Sequence, residues 1–520
     1  MSGSLFLIEA PGKVRAFTEH LHSLGRRGTV RATRGHIADF PNDIREPVLA
    51  GGQARGYRLT ESGEKTVQGL LDEARETVAM GGKVYVATDP DEEGERIAAD
   101  LRHYLARAGV PDAAMRRMRV PHMTDSGIAR AMDEAGPIHD EDAAPSRARR
   151  LVDRLVASHA SSFSEGFVAG RVQTGFLGAL FQGAGSAKHP WRARGTTPDG
   201  YEWSEVFESR ETAEAVGQAL SHAPVNPSGE WETTANAHRS LPDGWAALDR
   251  ALAETTFDAG RIGEALERLY LGGRLSYPRT TEKTLGPFAD TARDVVRSHL
   301  PAGTPLRWPE GAWGQGGGAH QAVIPLDADF PVAPKRAGEP LGDADVGGVL
   351  LRALLEAGDG ASVTETLGRP GEGAPPIAAF VNRFVKRAGP RRAWERRHPK
   401  PGRYEVEPER DERVRLSILK AARLGRPSTA PRHIGRTRAY YDQGQVTEKA
   451  RADLALAQVR CAPLLEMATH ARIEEAIHAE GVPVMERVHA ALEAASLPLS
   501  DGNPEEPGVL AAPGATSLAS

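Results

Sequence analysis

Apolar residues in this chain fall in short unbroken runs separated by stretches with helical spacing, the rhythm of an α/β unit. The first run, Leu5-Phe6-Leu7-Ile8, predicts a buried strand that delivers Glu9 at its carboxyl end. Pro11-Gly12 marks a turn, and Val14, Phe17 and Leu21 then recur at helical spacing behind Lys13. Residues 83–88 read as a second buried strand, which runs into Asp89-Pro90-Asp91-Glu92-Glu93-Gly94-Glu95 and a helix over 96–106. In open α/β sheets ligands gather at the carboxyl ends of strands, so both acidic stretches are expected at one crevice.

Further along, helical periodicity covers 147–180, and aromatic and β-branched residues with Gly and Pro predict short strands over 191–231. Residues 248–271 return to helical spacing, and 301–318 form a Gly/Pro-rich loop. Residues 331–408 are mixed, with strand-like 376–385, and 413–497 are largely helical. This divides the chain into units at 1–140, 141–190, 191–240, 241–330, 331–408 and 409–497, with a disordered tail at 498–520 rich in Pro, Gly, Ala and Ser. No solenoid-type repeat is present.

Composition narrows the class. A chain of 520 residues with 40% hydrophobic content builds several domains, and no apolar run approaches a membrane span. The single cysteine, Cys461, excludes a disulfide framework and a four-cysteine zinc ribbon, and points to a cytoplasmic protein. The net charge of -5 argues against indiscriminate coating of nucleic acid. Residues 381–440, however, carry 18 Lys or Arg against 6 Asp or Glu, interleaved with Trp394 and Tyr404. Charge runs are usually solvated faces, but this composition also suits a groove for single-stranded nucleic acid.

Two constellations carry chemistry. Tyr277 lies in Ser276-Tyr277-Pro278-Arg279, where Pro278 fixes the backbone on one side and Arg279 is a permanent cation suited to a phosphate. Asp89, Asp91 and Glu93 alternate; in an extended loop all three project one way, and three hard oxygen donors suit Mg²⁺. Each has a blander reading. A tyrosine beside proline is most often a turn residue, and acids before a helix are commonly a cap and dipole complement. Glu9 and the Asp89 loop together, each at a strand end and separated by one α/β unit, reverse the odds for the acids, and the tyrosine gains weight from that separate acidic site.

At these residues the chain resembles the type IA DNA topoisomerases. Glu9 with its strand and Asp89-x-Asp91-x-Glu93-Gly94-Glu95 look like the two signatures of that family's Toprim domain, with Gly35-His36-Ile37 and Asp39-Phe40-Pro41 between them. Arg149-Arg150-Leu151-Val152-Asp153-Arg154 resembles the helix that follows Toprim, and Gly170-Arg171-Val172-Gln173 the Gly-Arg-Val-Gln motif. The Tyr277 segment, Ala319-His320 and Gly425-Arg426-Pro427-Ser428-Thr429 follow in family order, so the resemblance covers most of the chain. It implies a multidomain toroid: an N-terminal α/β Toprim domain with helical domains and a β-rich arch.

The resemblance also implies roles. Tyr277 would attack single-stranded DNA to give a 5′-phosphotyrosyl link, Glu9 would act as general acid–base, and Lys13 and Arg279 would stabilise phosphate charge. His320 would position the phosphate, and Asp89, Asp91 and Glu93 would hold Mg²⁺. Arg154, Arg171, Gln173, Arg426 and Ser428 would contact DNA. Relaxation of negative supercoils, or decatenation, would then need no nucleotide, and the chain has no phosphate loop: Gly81-Gly82-Lys83 is followed by Val84. A monomer associated with nucleoid or plasmid DNA is expected, with an accessory helicase as a partner that would supply single strands. Glu92, His122, Thr281 and Gln321 depart from the family pattern, and a divergent enzyme with altered metal dependence or substrate preference is expected. The rival readings are a degenerate scaffold that binds DNA without cutting it, and a Toprim nuclease or primase.

Overall fold

A computed structural model describes residues 3–501 except 121–122, 185–190, 227, 236–239, 256–258, 309–311, 313–320, 334–338, 359–363, 372–373, 389–399, 409–422, 425–438 and 443–444. The first apolar run is the strand Ser4–Ile8, flanked in parallel by Gly28–Ala32 on one side and Val84–Val86 on the other; Met115–Arg117 completes a four-stranded parallel sheet. Its side chains alternate between two cores. Leu5 and Leu7 pack with Val67, Leu70, Ile97 and Leu101 of the helices Glu61–Ala79 and Glu92–Arg107. Phe6 and Ile8 pack with Phe17, Leu21 and Ile128 of the helices Val14–Ser23 and Asp125–Asp133. A strand covered on both faces must be apolar throughout, which explains the unbroken run.

Two helices, Ala144–Ala160 and Arg171–Ala184, share one core with Glu448–Arg460, Met467–Ile477 and Val484–Ala494 from the far end of the chain. Leu151, Leu155, Leu177, Ile473 and Val488 meet there with almost no exposure. Arg460 fastens the pieces by donating to the carbonyls of Ala160 and Ser161.

A six-stranded sheet joins Trp191–Thr196, Glu202–Phe207 and Ser228–Ala235 to Thr364–Arg369, Phe384–Ala388 and Arg403–Pro408. Two local expectations fail here. The stretch expected to be strands alone holds the helix Arg210–His222, started by the Ser209 side chain and buried through Ala213, Val216 and Leu220. Residues 376–385 are not one strand: Pro376–Phe380 is a 3₁₀ turn, because proline fits the start of a helical turn and gives a ladder no donor.

The helices Gly244–Glu254, Ala259–Leu271, Ala289–His299 and Asp343–Gly358 form a further unit around Leu248, Leu266, Val295 and Leu351. The Tyr277 segment is pinned to its surface. Ser276 N donates to Ile324 O (2.9 Å), its hydroxyl donates to Ala322 O (2.7 Å), and Ile324 N returns a bond to that hydroxyl (2.8 Å). Among the described residues no helix is long and apolar enough to cross a membrane.

Candidate active site

The parallel pairing of Ser4–Ile8 with Val84–Val86 sets two strand ends side by side, so Glu9 and the loop beginning at Asp89 open onto one crevice. That loop is fixed from behind. The buried guanidinium of Arg117 donates to the carbonyls of Val86 (3.1 Å), Thr88 (2.9 Å), Met118 (3.1 Å) and Asp89 (2.9 Å). It also grips Glu95 at 2.8 Å, where Arg119 binds too. Burial would raise the Glu95 carboxyl, but the two guanidiniums outweigh it and hold it below its usual range. Glu95 therefore anchors the loop and does not point into the crevice.

The helix starts four residues earlier than expected, at Glu92, because Asp91 is its N-cap and accepts from Gly94 N at 2.8 Å. Gly94 is required: a Cβ there would lie 1.7 Å from the Asp89 carbonyl oxygen. The extended alternation of Asp89, Asp91 and Glu93 is thus broken at the cap. Glu93, on the first turn, pairs with His36 Nε2 at 3.1 Å.

Lys13, almost fully buried, binds both oxygens of Asp89 at 2.8 and 2.9 Å. Its ammonium also stands over the Tyr270 ring, 5.1 Å from the centroid. Desolvation pushes Lys13 down, but Tyr270 and Asp89 outweigh it and hold the ammonium above the ordinary lysine value. Tyr270 packs edge-on against Tyr277 with ring centroids 5.4 Å apart, and the Tyr277 hydroxyl donates to Asp91 Oδ2 at 3.2 Å. A closed circuit results: Asp89, Lys13, Tyr270, Tyr277, Asp91.

Burial, then the charges of Asp91 and Asp89, keeps the Tyr277 phenol well above its ordinary value despite Arg279. Burial also raises the Glu9 carboxyl to about 7, with Asp89 and Asp91 adding to it and Lys13 and Arg279 opposing. Arg279 is held by Glu267 at 2.9 Å. Glu9, Lys13, Asp89, Asp91, Tyr277 and Arg279 therefore share one electrostatic neighbourhood. Tyr277 is only 2% exposed, and the cavity beside it, lined by Met123, Thr124, Tyr270 and Phe288 among others, has a volume of about 10 Å³. That is about the space of one water, so the seam is closed to a nucleotide.

The donor chemistry suits a hard cation, yet among the described residues no group of three carboxylate, thiol or imidazole side chains is placed to hold one. Asp89 is engaged by Lys13, Asp91 by Gly94 and Tyr277, and Glu93 by His36. A preformed three-carboxylate cage is not what the closed seam contains.

Of the residues read as DNA contacts, Arg154 and Arg171 are buried and Gln173 is half-buried. Arg154 donates to the carbonyls of Asp43, Ile44 and Glu46, and is 2% exposed. Arg171, equally buried, pairs with Asp153 at 2.8 Å and with Glu474, and reaches Leu424 O. Gln173 donates to the Tyr440 hydroxyl. In this arrangement all three hold protein to protein, which offsets much of the cost of burying their polar groups. His320, Arg426, Ser428 and His122 lie outside the described residues.

Glu92 does not add charge to the crevice. It turns to the helical unit, where it meets His478 Nε2 at 2.5 Å and Arg149 at 3.4 Å, and Arg149 continues to Glu474 at 2.9 Å. Sequence reasoning missed His478, Glu474, Glu267 and Arg117, and gave no role to His36, which it placed in the Toprim segment, or to Tyr270. Tyr270 stands at the end of the helix Ala259–Leu271, seven residues before Tyr277.

Comparison with known proteins bears on the fold. Residues 4–121 match the family model described as the Toprim domain. A DNA topoisomerase 1 of Xylella fastidiosa is 29% identical over 180 residues, 34% of this chain and 21% of its own length. The DNA topoisomerase 1 of Treponema pallidum is 25% identical over 356 residues, 62% of this chain and 47% of its own. The chain thus spans about a fifth to a half of the length of these relatives. Full-length topoisomerase I from Thermotoga maritima superposes with a TM-score of 0.65 and 17% identity over 95% of this chain and 90% of its own. The expected multidomain fold with an N-terminal Toprim domain is the fold observed.

Proposed function

We propose that this homologue of the bacterial type IA topoisomerases cuts and reseals one strand of DNA through Tyr277. The observation that carries the reading is the Tyr277 hydroxyl, 3.2 Å from Asp91, beside a Glu9 carboxyl held to about 7. The raised phenol means that no phenolate waits in the resting site, so its proton leaves as it attacks, toward the carboxylate it already faces. The phenolic oxygen bonds to phosphorus and the bond to the 3′-oxygen breaks. Glu9, protonated up to about neutral pH, gives its proton to that leaving oxygen. A 5′-phosphotyrosyl link and a free 3′-hydroxyl result. In the reverse direction Glu9 takes the hydroxyl proton back, and a group titrating near 7 serves both directions.

Lys13 and Arg279 supply fixed positive charge for the phosphate oxygens, and His320 would position the phosphate. Asp89, Asp91 and Glu93 would contribute one or two carboxylates to Mg²⁺, which would neutralise phosphate charge when bound. One phosphoester replaces another, so no nucleotide is consumed.

A closed seam requires a gate. Among the described residues, the polar links that cross it between the acidic unit and the tyrosine unit include Tyr277 to Asp91 and Lys13 over Tyr270. Each is worth about 1 kcal/mol. Opening would admit single-stranded DNA and, after cleavage, let a second strand pass, giving relaxation or decatenation by a monomer working where a helicase supplies single strands. Wild type should relax negatively supercoiled plasmid with Mg²⁺ and without ATP, and denaturant should trap covalent DNA. Tyr277→Phe should abolish both. No relaxation and no trapping across divalent metals would favour the non-cutting scaffold, and nicking by the Tyr277→Phe variant would favour a nuclease.

A further inference from the structure

Away from the crevice, the six-stranded sheet opens at one end. Glu202–Phe207 pairs with its neighbour Phe384–Ala388 only at Glu202 and Val385, so the strands part beyond that point. The gap is a groove of about 750 Å³ lined by Ser204, Glu205 and Val206 on one side and by Leu367, Gly368, Arg369, Asn382 and Arg383 on the other, with Arg192 and Trp231. Its size is that of a site for a drug-sized ligand, or one to two nucleotides.

Trp231 is placed there by a local device. The pairing of Ser228–Ala235 with Thr364–Arg369 shifts register between Ser228 and Glu232, and such bulges re-aim a side chain. The indole comes down over Gly368, where a Cβ would lie 2.8 Å from the ring. The Tyr201 ring packs against it from outside the lining, with centroids 5.4 Å apart and a tilt of 32°. Around it are three guanidiniums, Arg192, Arg369 and Arg383, against two carboxylates, Glu205 and Glu232. One carboxylate, Glu205, is occupied by the Asn382 backbone N–H (3.1 Å) and side-chain amide (2.9 Å). An aromatic face ringed by excess guanidinium is the chemistry that holds a stacked base and its phosphate.

We propose that this groove is a second contact for single-stranded nucleic acid, separate from the cleavage site, with Trp231 as the stacking platform and Arg192, Arg369 and Arg383 on the backbone. It rests on the reading above only in taking single-stranded DNA as the ligand. The test uses the full chain and a fluorescent oligothymidylate in anisotropy titrations without metal, with covalent trapping measured in parallel. Trp231→Ala should weaken binding about fivefold or more, and Trp231→Phe should retain most of it. Arg383→Glu should weaken binding and flatten its salt dependence. The Trp231 dependence should vanish on an abasic strand, and trapping yield on a saturating strand should be unchanged. A bromodeoxyuridine strand should crosslink to the peptide containing Trp231.

Wild-type affinity in folded Trp231→Ala and Arg383→Glu, with no crosslink at Trp231, overturns the proposal. Loss of trapping with the Trp231 dependence intact would sink the cleavage reading and leave the groove standing.

Discussion

The Tyr277 hydroxyl donates to Asp91, joining the tyrosine segment to the helix cap of the acidic loop at 3.2 Å. The bond is modest in energy but central in chemistry. Tyr277→Phe should therefore separate the two: a stability change of about 1–2 kcal/mol by denaturant unfolding, with complete loss of covalent DNA. Persistent adduct in the variant would remove Tyr277 as nucleophile.

Glu9 titrates near 7 in the folded chain and near its ordinary 4.5 when unfolded. Between those values the folded state holds more protons, so the stability supplied by the neutral carboxyl is present below pH 4.5 and is lost as pH rises through 7. The full shift corresponds to roughly 3 kcal/mol. Glu9→Gln should exceed wild type in stability above neutral pH and lack this slope. If the proposed cleavage uses protonated Glu9, adduct formation should fall in wild type above about 7. Identical pH profiles for the two proteins would show that Glu9 does not titrate there.

Lys13 and Asp89 form a nearly buried ion pair, with side-chain exposures of 6% and 13%. Lys13→Met leaves the Asp89 charge without compensation and should cost about 3–5 kcal/mol. Adding Asp89→Asn should recover much of that stability without restoring trapping. A double-mutant cycle by urea unfolding reads the coupling, and a value near zero would mean that the pair contributes nothing.

Glu92 and His478 link the acidic loop to the helical unit, and Glu92 raises the His478 imidazole above its ordinary value. The link is complete below the ordinary histidine range and loosens as pH rises through the elevated one. Limited proteolysis between the two units should accelerate across that window. Glu92→Gln should abolish the pH dependence, while Glu92→Arg, which faces Arg149 and His478 with a like charge, should destabilise by about 1 kcal/mol. Unchanged proteolysis in both variants would exclude the link as a clamp.

Much of this was readable in the chain because it was local. Leu5 to Ile8 announced a strand covered on both faces, and Glu9 and Asp89 fell at strand ends because a parallel sheet puts them there. Where a residue's fate depended on distant partners, the pattern was silent. Nothing near Glu92 signals that His478 awaits it 386 positions later. Arg154 and Arg171 read as phosphate ligands because a guanidinium carries no mark of burial; their partners are carbonyls and carboxylates from other segments. The spacing of Asp89, Asp91 and Glu93 suggested an extended loop, and the competing capping preference of Asp91 won. The helix Arg210–His222 hid in a stretch whose aromatic residues, all outside it, favoured strands.

Arg117 clasps carbonyl after carbonyl behind the acidic loop. A support braced that firmly has no slack to offer an incoming strand or ion. Accommodation must come from the opposing wall, where Tyr277 rides on a segment tied to residues 322–324 by three hydrogen bonds. Tuning of this protein toward new DNA geometries is thus expected to accumulate around Ser276 and Ile324, while Arg117 stays untouched.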